Sequence, residues 1–146
     1  GELGLMTINN SAEIFLSAMI FDGVFNRHPG LRAISMEHGA FWLPSWLQAL
    51  DYTASLFSRK RKYDQMPSEV AKNHIKVSPF AGEPVGWIIE NVGSGMLVFA
   101  SDYPHPEGTS DPIRKFEAKM ENCDEATMKA FYHGNMEELM GITLRK

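Results

Sequence analysis

At 146 residues and 44% hydrophobic content, the chain can bury one core and is too short for two ordinary domains. Its 14 Lys and Arg against 18 Asp and Glu give a mild net charge of -4, which excludes a field that would drive binding to nucleic acid or an anionic membrane. The lone Cys123 excludes an intrachain disulfide and a four-cysteine zinc site, and fits a reducing, cytoplasmic setting.

In chain order, Asn10 and Glu13 have the form of a helix-initiating cap, and Ile14, Phe15, Ala18, Met19, Phe21 and Phe25 follow, predicting a helix over 11–27. The strongest apolar stretch, 14–21, is too short for a bilayer and has no basic region before it, so neither signal peptide nor membrane helix is expected. The first residue is Gly, as in a processed, tagged or truncated chain. Pro29 and Gly30 stop the helix, and Leu31, Ala33, Ile34 and Met36 form a strand-length run ending at Glu37, His38 and Gly39. A second long helix is predicted over 41–61, with Pro44 near its start and Leu43, Leu47, Leu50, Ala54 and Phe57 three or four apart. The basic run Arg59, Lys60, Arg61 and Lys62 reads as a solvated helix end.

A helical turn over 68–73 precedes a second short run, Ile75 to Ser78, closed by Pro79. A third helix is expected over 84–92, then an apolar block, 96–100, of the kind found in a strand covered on both faces, ending at Ser101 and Asp102. Helices over 111–120 and 124–133 follow, with Gly134 and Asn135 as a break before 136–140. Short buried strands alternating with helices predict parallel βαβ units and an α/β fold. No low-complexity tract, flexible linker or fixed-period repeat interrupts the pattern.

The chemistry is positional. His38 follows the first predicted strand and Asp102 the third, and parallel α/β folds place ligands and catalysis at strand C-termini. For either residue alone, capping a helix or satisfying backbone donors is the commoner role; together they bring a site level with that reading. After Asp102, Pro104 and Pro106 stiffen a loop that also carries Tyr103, His105 and Glu107. His105 and Glu107 are both ligand types and could form a metal pair, with solvent exposure as the alternative.

Four strings carry a family resemblance: FNRHPGLRAISMEHGAFWLP (25–44), VSPFAGE (77–83), FASDYPHPEGT (99–109) and HGNMEELMGI (133–142). In that order, over nearly the whole chain, they resemble the C-terminal part of the amidohydrolase-related family that includes aminocarboxymuconate-semialdehyde decarboxylase. The resemblance implies a (β/α)8 TIM barrel whose sixth, seventh and eighth strands match the three predicted here, with strands one to five missing and 1–146 forming a single partial barrel domain. It makes Asp102 the metal-ligand aspartate and His38 the sixth-strand histidine, which moves the catalytic proton in the decarboxylase branch and binds metal in others. The family's His-x-His pair and fifth-strand histidine have no counterpart, because no histidine precedes His28. Those ligands are expected upstream of Gly1, so the chain alone is expected to bind metal weakly and be inactive, three protein ligands being usual for catalytic zinc.

What the resemblance implies is a divalent metal, most simply zinc, and a small carboxylic acid that is decarboxylated or hydrolysed, with Trp42, Phe80, Tyr103 and His105 as candidate pocket walls, packing or loop structure being the commoner role for each. An imidazole suits the proton-carrying role near neutral pH. The competing reading is a non-catalytic binding or oligomerisation module, suggested by the helix over 11–27, apolar on nearly every side. Bare edges of strands cut from a barrel would also favour self-association, hence a homo-oligomer.

Overall fold

The computed structural model describes residues 1–105 and 108–142. Two strands, β1 (Ala33–Ser35) and β2 (Ile75–Val77), pair in parallel, Ala33 opposite Ile75 and Ser35 opposite Val77. The predicted third strand lies beside β2, but only as a parallel bridge between Val77 and Leu97. Val77 N–H donates to Met96 O at 2.8 Å and Val98 N–H to Val77 O at 3.0 Å, after which Phe99 N–H turns to Phe131 O at 3.0 Å. The ladder to β2 is limited to this bridge, and the full 96–100 strand does not form. The three segments nonetheless run side by side, in chain order and in one direction.

Helices surround this short sheet. The N-terminal stretch forms α1 (Glu2–Met6), α2 (Asn10–Phe21) and α3 (Val24–Arg27) rather than one helix over 11–27. Gly23, at φ +70°, takes a left-handed turn that ends α2, and Asn9 rather than Asn10 occupies the cap position. By length and composition Glu2–Phe21 is apolar enough to cross a membrane, contrary to the shorter stretch read from sequence. The fold breaks that stretch at 7–9 and turns Ala12, Leu16 and Ile20 into the core, while Ile14 and Phe15 stay exposed.

Helix α4 (Leu43–Leu56) starts at Pro44 and buries Leu43, Leu47, Leu50 and Ala54, the three-to-four spacing read from sequence, and ends five residues short of the predicted 61. Its Asp51 carboxylate accepts Ser68 N–H at 2.9 Å and Ser68 O–H at 2.7 Å, tying it to α5 (Pro67–His74), which runs directly into β2. The remaining helices are α6 (Val85–Val92), α7 (Pro112–Glu117), α8 (Glu125–Lys129) and α9 (Asn135–Met140). The break expected at Gly134 and Asn135 is absent, because a π-helical segment, Ala130–Gly134, carries α8 into α9. The core joins Phe25, Leu43, Ile75, Val77, Ile88, Leu97, Phe116 and Phe131.

The motif at 133–142 belongs to this framework. Asn135 is buried, and its side-chain N–H groups reach Ser94 O and Leu97 O at 2.7 Å, fixing α9 to the start of the third segment. Lys76 in β2, 3% exposed, donates to Gly95 O at 2.6 Å and to Glu138 at 2.8 Å. Without Glu138 the buried ammonium keeps one neutral acceptor. Glu138→Ala in the full protein is therefore expected to cost about 2 kcal/mol, more than an exposed ion pair contributes. Lys76→Met, which removes the buried charge itself, should cost less in urea denaturation; the reverse order would contradict this account.

Candidate active site

The exit from β1 is a tightly constrained loop. Glu37 and Gly39 both take left-handed backbone, at φ +62° and +61°, and His38 lies between them. A non-glycine residue in that region is uncommon and costs some strain. Ser35 Oγ, at the buried end of β1, lies 3.1 Å from His38 Nδ1, and Ser11 Oγ of α2 lies 3.5 Å from Nε2. The half-buried imidazole is thus oriented through one nitrogen by its own strand, with the other turned toward α2.

Asp102 leaves the third segment at φ +51°. Aspartate tolerates that region better than most residues because its short side chain can bond locally. The loop folds back on itself: His105 N–H donates to Asp102 O at 2.9 Å, and Thr109 N–H to Ser101 O at 3.1 Å. A Cβ on Gly108 would stand 2.0 Å from Asp102 O, so only glycine fits that closure. The Tyr103–Pro104 peptide is cis. Asp102 Oδ2 is buried and has no hydrogen-bond partner among the described residues; the nearest cation-forming group is His105 Nδ1 at 3.8 Å. A buried carboxylate oxygen without a donor is costly unless a cation or proton completes it, so this donor suits a hard or borderline metal ion. Among the described residues no three His, Cys, Asp or Glu side chains converge as a metal cluster.

Both residues emerge at the same end of the sheet. A cleft of about 210 Å³ joins Met36 and Glu37 after β1, Ser78, Pro79 and Phe80 after β2, and Ala100, Ser101 and Asp102 after the third segment. A larger, mostly apolar cavity of about 720 Å³ is lined by His38, Phe41, Trp42, Phe80, Glu83 and Met6, among others. Phe80 lines both cavities, the one that holds His38 and the one that holds Asp102. Trp42, though on the wall, is buried and donates its indole N–H to Gly39 O at 2.8 Å, so it also braces the His38 loop. Tyr103 is 65% exposed and His105 is exposed, and neither lines these two cavities; Pro106 and Glu107, hence the suggested His105–Glu107 pair, fall outside the described residues.

Sequence reasoning missed three contributors. Phe41, exposed and stacked toward Trp87 with ring centroids 5.9 Å apart, forms part of the large cavity. Ser35 orients His38. Glu83 accepts N–H bonds from Ala40 at 2.9 Å, Phe41 at 3.0 Å and Phe80 at 2.9 Å. Burial pushes its carboxyl above the usual range, against the three backbone donors that pull it down. Glu83 closes the VSPFAGE string, and a polar residue in so apolar a stretch was the available signal.

The sequence profile of the amidohydrolase family matches residues 13–142. Among solved structures the chain is similar to an amidohydrolase from Mycobacterium avium subsp. paratuberculosis, 27% identical with a TM-score of 0.76 over 86% of this chain and 32% of that one. It is also similar to a 5-carboxyvanillate decarboxylase from Sphingomonas paucimobilis, 26% identical with a TM-score of 0.66 over 87% of this chain and 38% of that one. A 5-carboxyvanillate decarboxylase from Novosphingobium aromaticivorans, solved with manganese and 4-hydroxy-3-methoxy-5-nitrobenzoic acid, shares the fold at 24% identity, with a TM-score of 0.69 over 89% of this chain and 38% of that one. The chain spans about a third of the length of these structures. No curated protein matches it significantly.

Proposed function

The chain belongs to the amidohydrolase family, and we propose that it forms strands six to eight of a (β/α)8 barrel that decarboxylates a small carboxylic acid with the aid of a divalent metal. The observation that carries this reading is the shared end of the sheet: His38 and Asp102 leave parallel segments on either side of Phe80, and Asp102 Oδ2 is buried without a donor. Active sites of such barrels lie at the C-terminal ends of their strands. The 26% identity to a 5-carboxyvanillate decarboxylase favours carbon dioxide loss over hydrolysis.

Asp102 would hold the metal, with the other ligands supplied by the rest of the barrel. When bound, that ion would polarise substrate oxygens and stabilise negative charge. The residues of this chain do the remainder. His38, steadied by Ser35 through Nδ1, presents Nε2 to carry the proton. In decarboxylation that proton goes to the carbon bearing the carboxylate; the bond to the carboxylate then breaks, its electron pair returns to the carbon skeleton, and carbon dioxide leaves. Phe41, Phe80 and Trp42 offer an apolar wall that excludes water from the reacting carbon. The outer edges of β1 and of the third segment would pair with neighbouring strands in the closed barrel, and without them the chain would associate with itself.

The test is made on the full-length protein. Metal analysis should find about one zinc or manganese per subunit, with chelation abolishing activity, and incubation with carboxylated aromatic or unsaturated acids should release carbon dioxide. A metal-free, fully active protein, or one that hydrolyses amides and esters without ever releasing carbon dioxide, would refute it.

A further inference from the structure

We propose that Glu83 is a positioning residue of the site, its carboxylate fixing the His38 loop against the Phe80 loop. The inference rests on the functional reading above for its catalytic consequence, and on geometry alone for its structural content.

The carboxylate sits between the exits of β1 and β2. Its Oε1 accepts Ala40 and Phe41 N–H, both at 3.0 Å, and its Oε2 accepts Ala40 N–H at 2.9 Å and Phe80 N–H at 2.9 Å. Three consecutive loop positions are therefore spoken for: Gly39 packs on the carboxylate, and Ala40 and Phe41 bond to it. A Cβ on Gly39 would lie 2.7 Å from Glu83 Oε1 and 3.0 Å from the Phe80 ring, so the loop approaches as closely as backbone permits. His38 is the next residue back, and its ring nitrogens lie 3.1 and 3.5 Å from two serine hydroxyls. Those hydroxyls can choose the ring's tautomer but cannot hold the backbone that carries it. Glu83 holds that backbone, and through Phe80 N–H it also sets the wall shared by the two cavities. Backbone donors are fixed in direction, so a carboxylate accepting three of them defines the relative placement of both loops.

A structural acid elsewhere would stabilise the protein without touching turnover, and Glu138 provides that comparison: it closes an ion pair with Lys76, whose other acceptor, Gly95 O, lies at the start of the third segment, away from the exits that carry the site. In the full-length, metal-loaded protein, Glu83→Gln and Glu83→Asp would be compared with Glu138→Ala by metal content, thermal melting, histidine side-chain NMR, kcat and KM. Glu83→Gln should load metal normally, shift or broaden the His38 ring signals, and lower kcat by roughly 10–100-fold with a smaller change in KM, the size of loss that small misplacement of a catalytic group produces. Glu138→Ala should lower the melting temperature while leaving the His38 signals and kcat unchanged. Glu83→Asp keeps the charge but shortens the reach, and should fall between wild type and Glu83→Gln. Unchanged His38 signals in a folded Glu83→Gln, or in Glu83→Asp should the glutamine variant not fold, overturn the proposal. The ring signals do not depend on turnover, so a wild-type protein that decarboxylates nothing would sink the functional reading and leave this one standing on the NMR result.

Discussion

Asp102→Asn in the full-length protein is expected to lose metal while keeping its fold. Asparagine has the same shape, tolerates the left-handed φ of +51° and retains one carbonyl oxygen, so the backbone of the loop has no reason to move. What changes is Oδ2, the buried atom for which no described residue offers a hydrogen bond. Turning that oxygen into an N–H₂ group replaces a ligand by a donor. Metal affinity should then fall by more than the roughly 10–100-fold that loss of a mere outer partner costs, and turnover should fall with it. Stability gives an independent sign. A buried carboxylate oxygen without a hydrogen-bond donor disfavours the metal-free fold, so metal-free Asp102→Asn should melt at or above the wild-type temperature, and only the metal-loaded proteins should show the wild type as the more stable. A metal-free variant that melts well below wild type would mean Asp102 serves the loop rather than an ion.

The framework of this fold was legible because its signals are local. Pro44 and the Leu43, Leu47, Leu50, Ala54 spacing gave α4, Pro29 and Gly30 gave the turn into β1, and Ile75 to Val77 gave β2. What failed depended on partners distant in sequence. The third strand read from 96–100 is reduced to a single bridge at Leu97, and its Phe99 N–H bonds to Phe131 O, a residue 32 positions away. The break read at Gly134 and Asn135 is absent because Asn135 is needed inside the fold, bonded to Ser94 O and Leu97 O. The site divides in the same way. His38 and Asp102 could be found as polar residues ending apolar runs, and Trp42 and Phe80 as large side chains next to them. Glu83 stood out only as a polar residue in an apolar string; its role was not legible, since its three amide donors lie 3 to 43 residues away and only the folded loops bring them to one point. Tyr103, also named from the sequence, points to solvent, where flanking prolines gave no indication of direction.

Replacing His38 by Asn should leave the metal in place and remove most of the turnover. The imidazole is held by Ser35 and Ser11, and it lines the larger cavity whereas Asp102 lines the smaller, Phe80 being common to both. Asparagine can keep the bond to Ser35 Oγ while having no group that exchanges a proton near neutral pH. Loss of a positioned general acid or base lowers rates by roughly 10²–10⁴-fold, so kcat for the acid that the wild type decarboxylates should drop by that factor, with KM changing far less because the apolar wall of Phe41, Phe80 and Trp42 is intact. Added imidazole, small enough to enter a cavity of about 720 Å³, should restore part of the rate. Ser35→Ala, which frees Nδ1 without removing the ring, should cost less than His38→Asn. The two readings of this residue separate on one number, the metal content of His38→Asn: full occupancy with lost turnover identifies a proton carrier, whereas loss of the metal together with turnover makes His38 a ligand and moves the proton chemistry to another group.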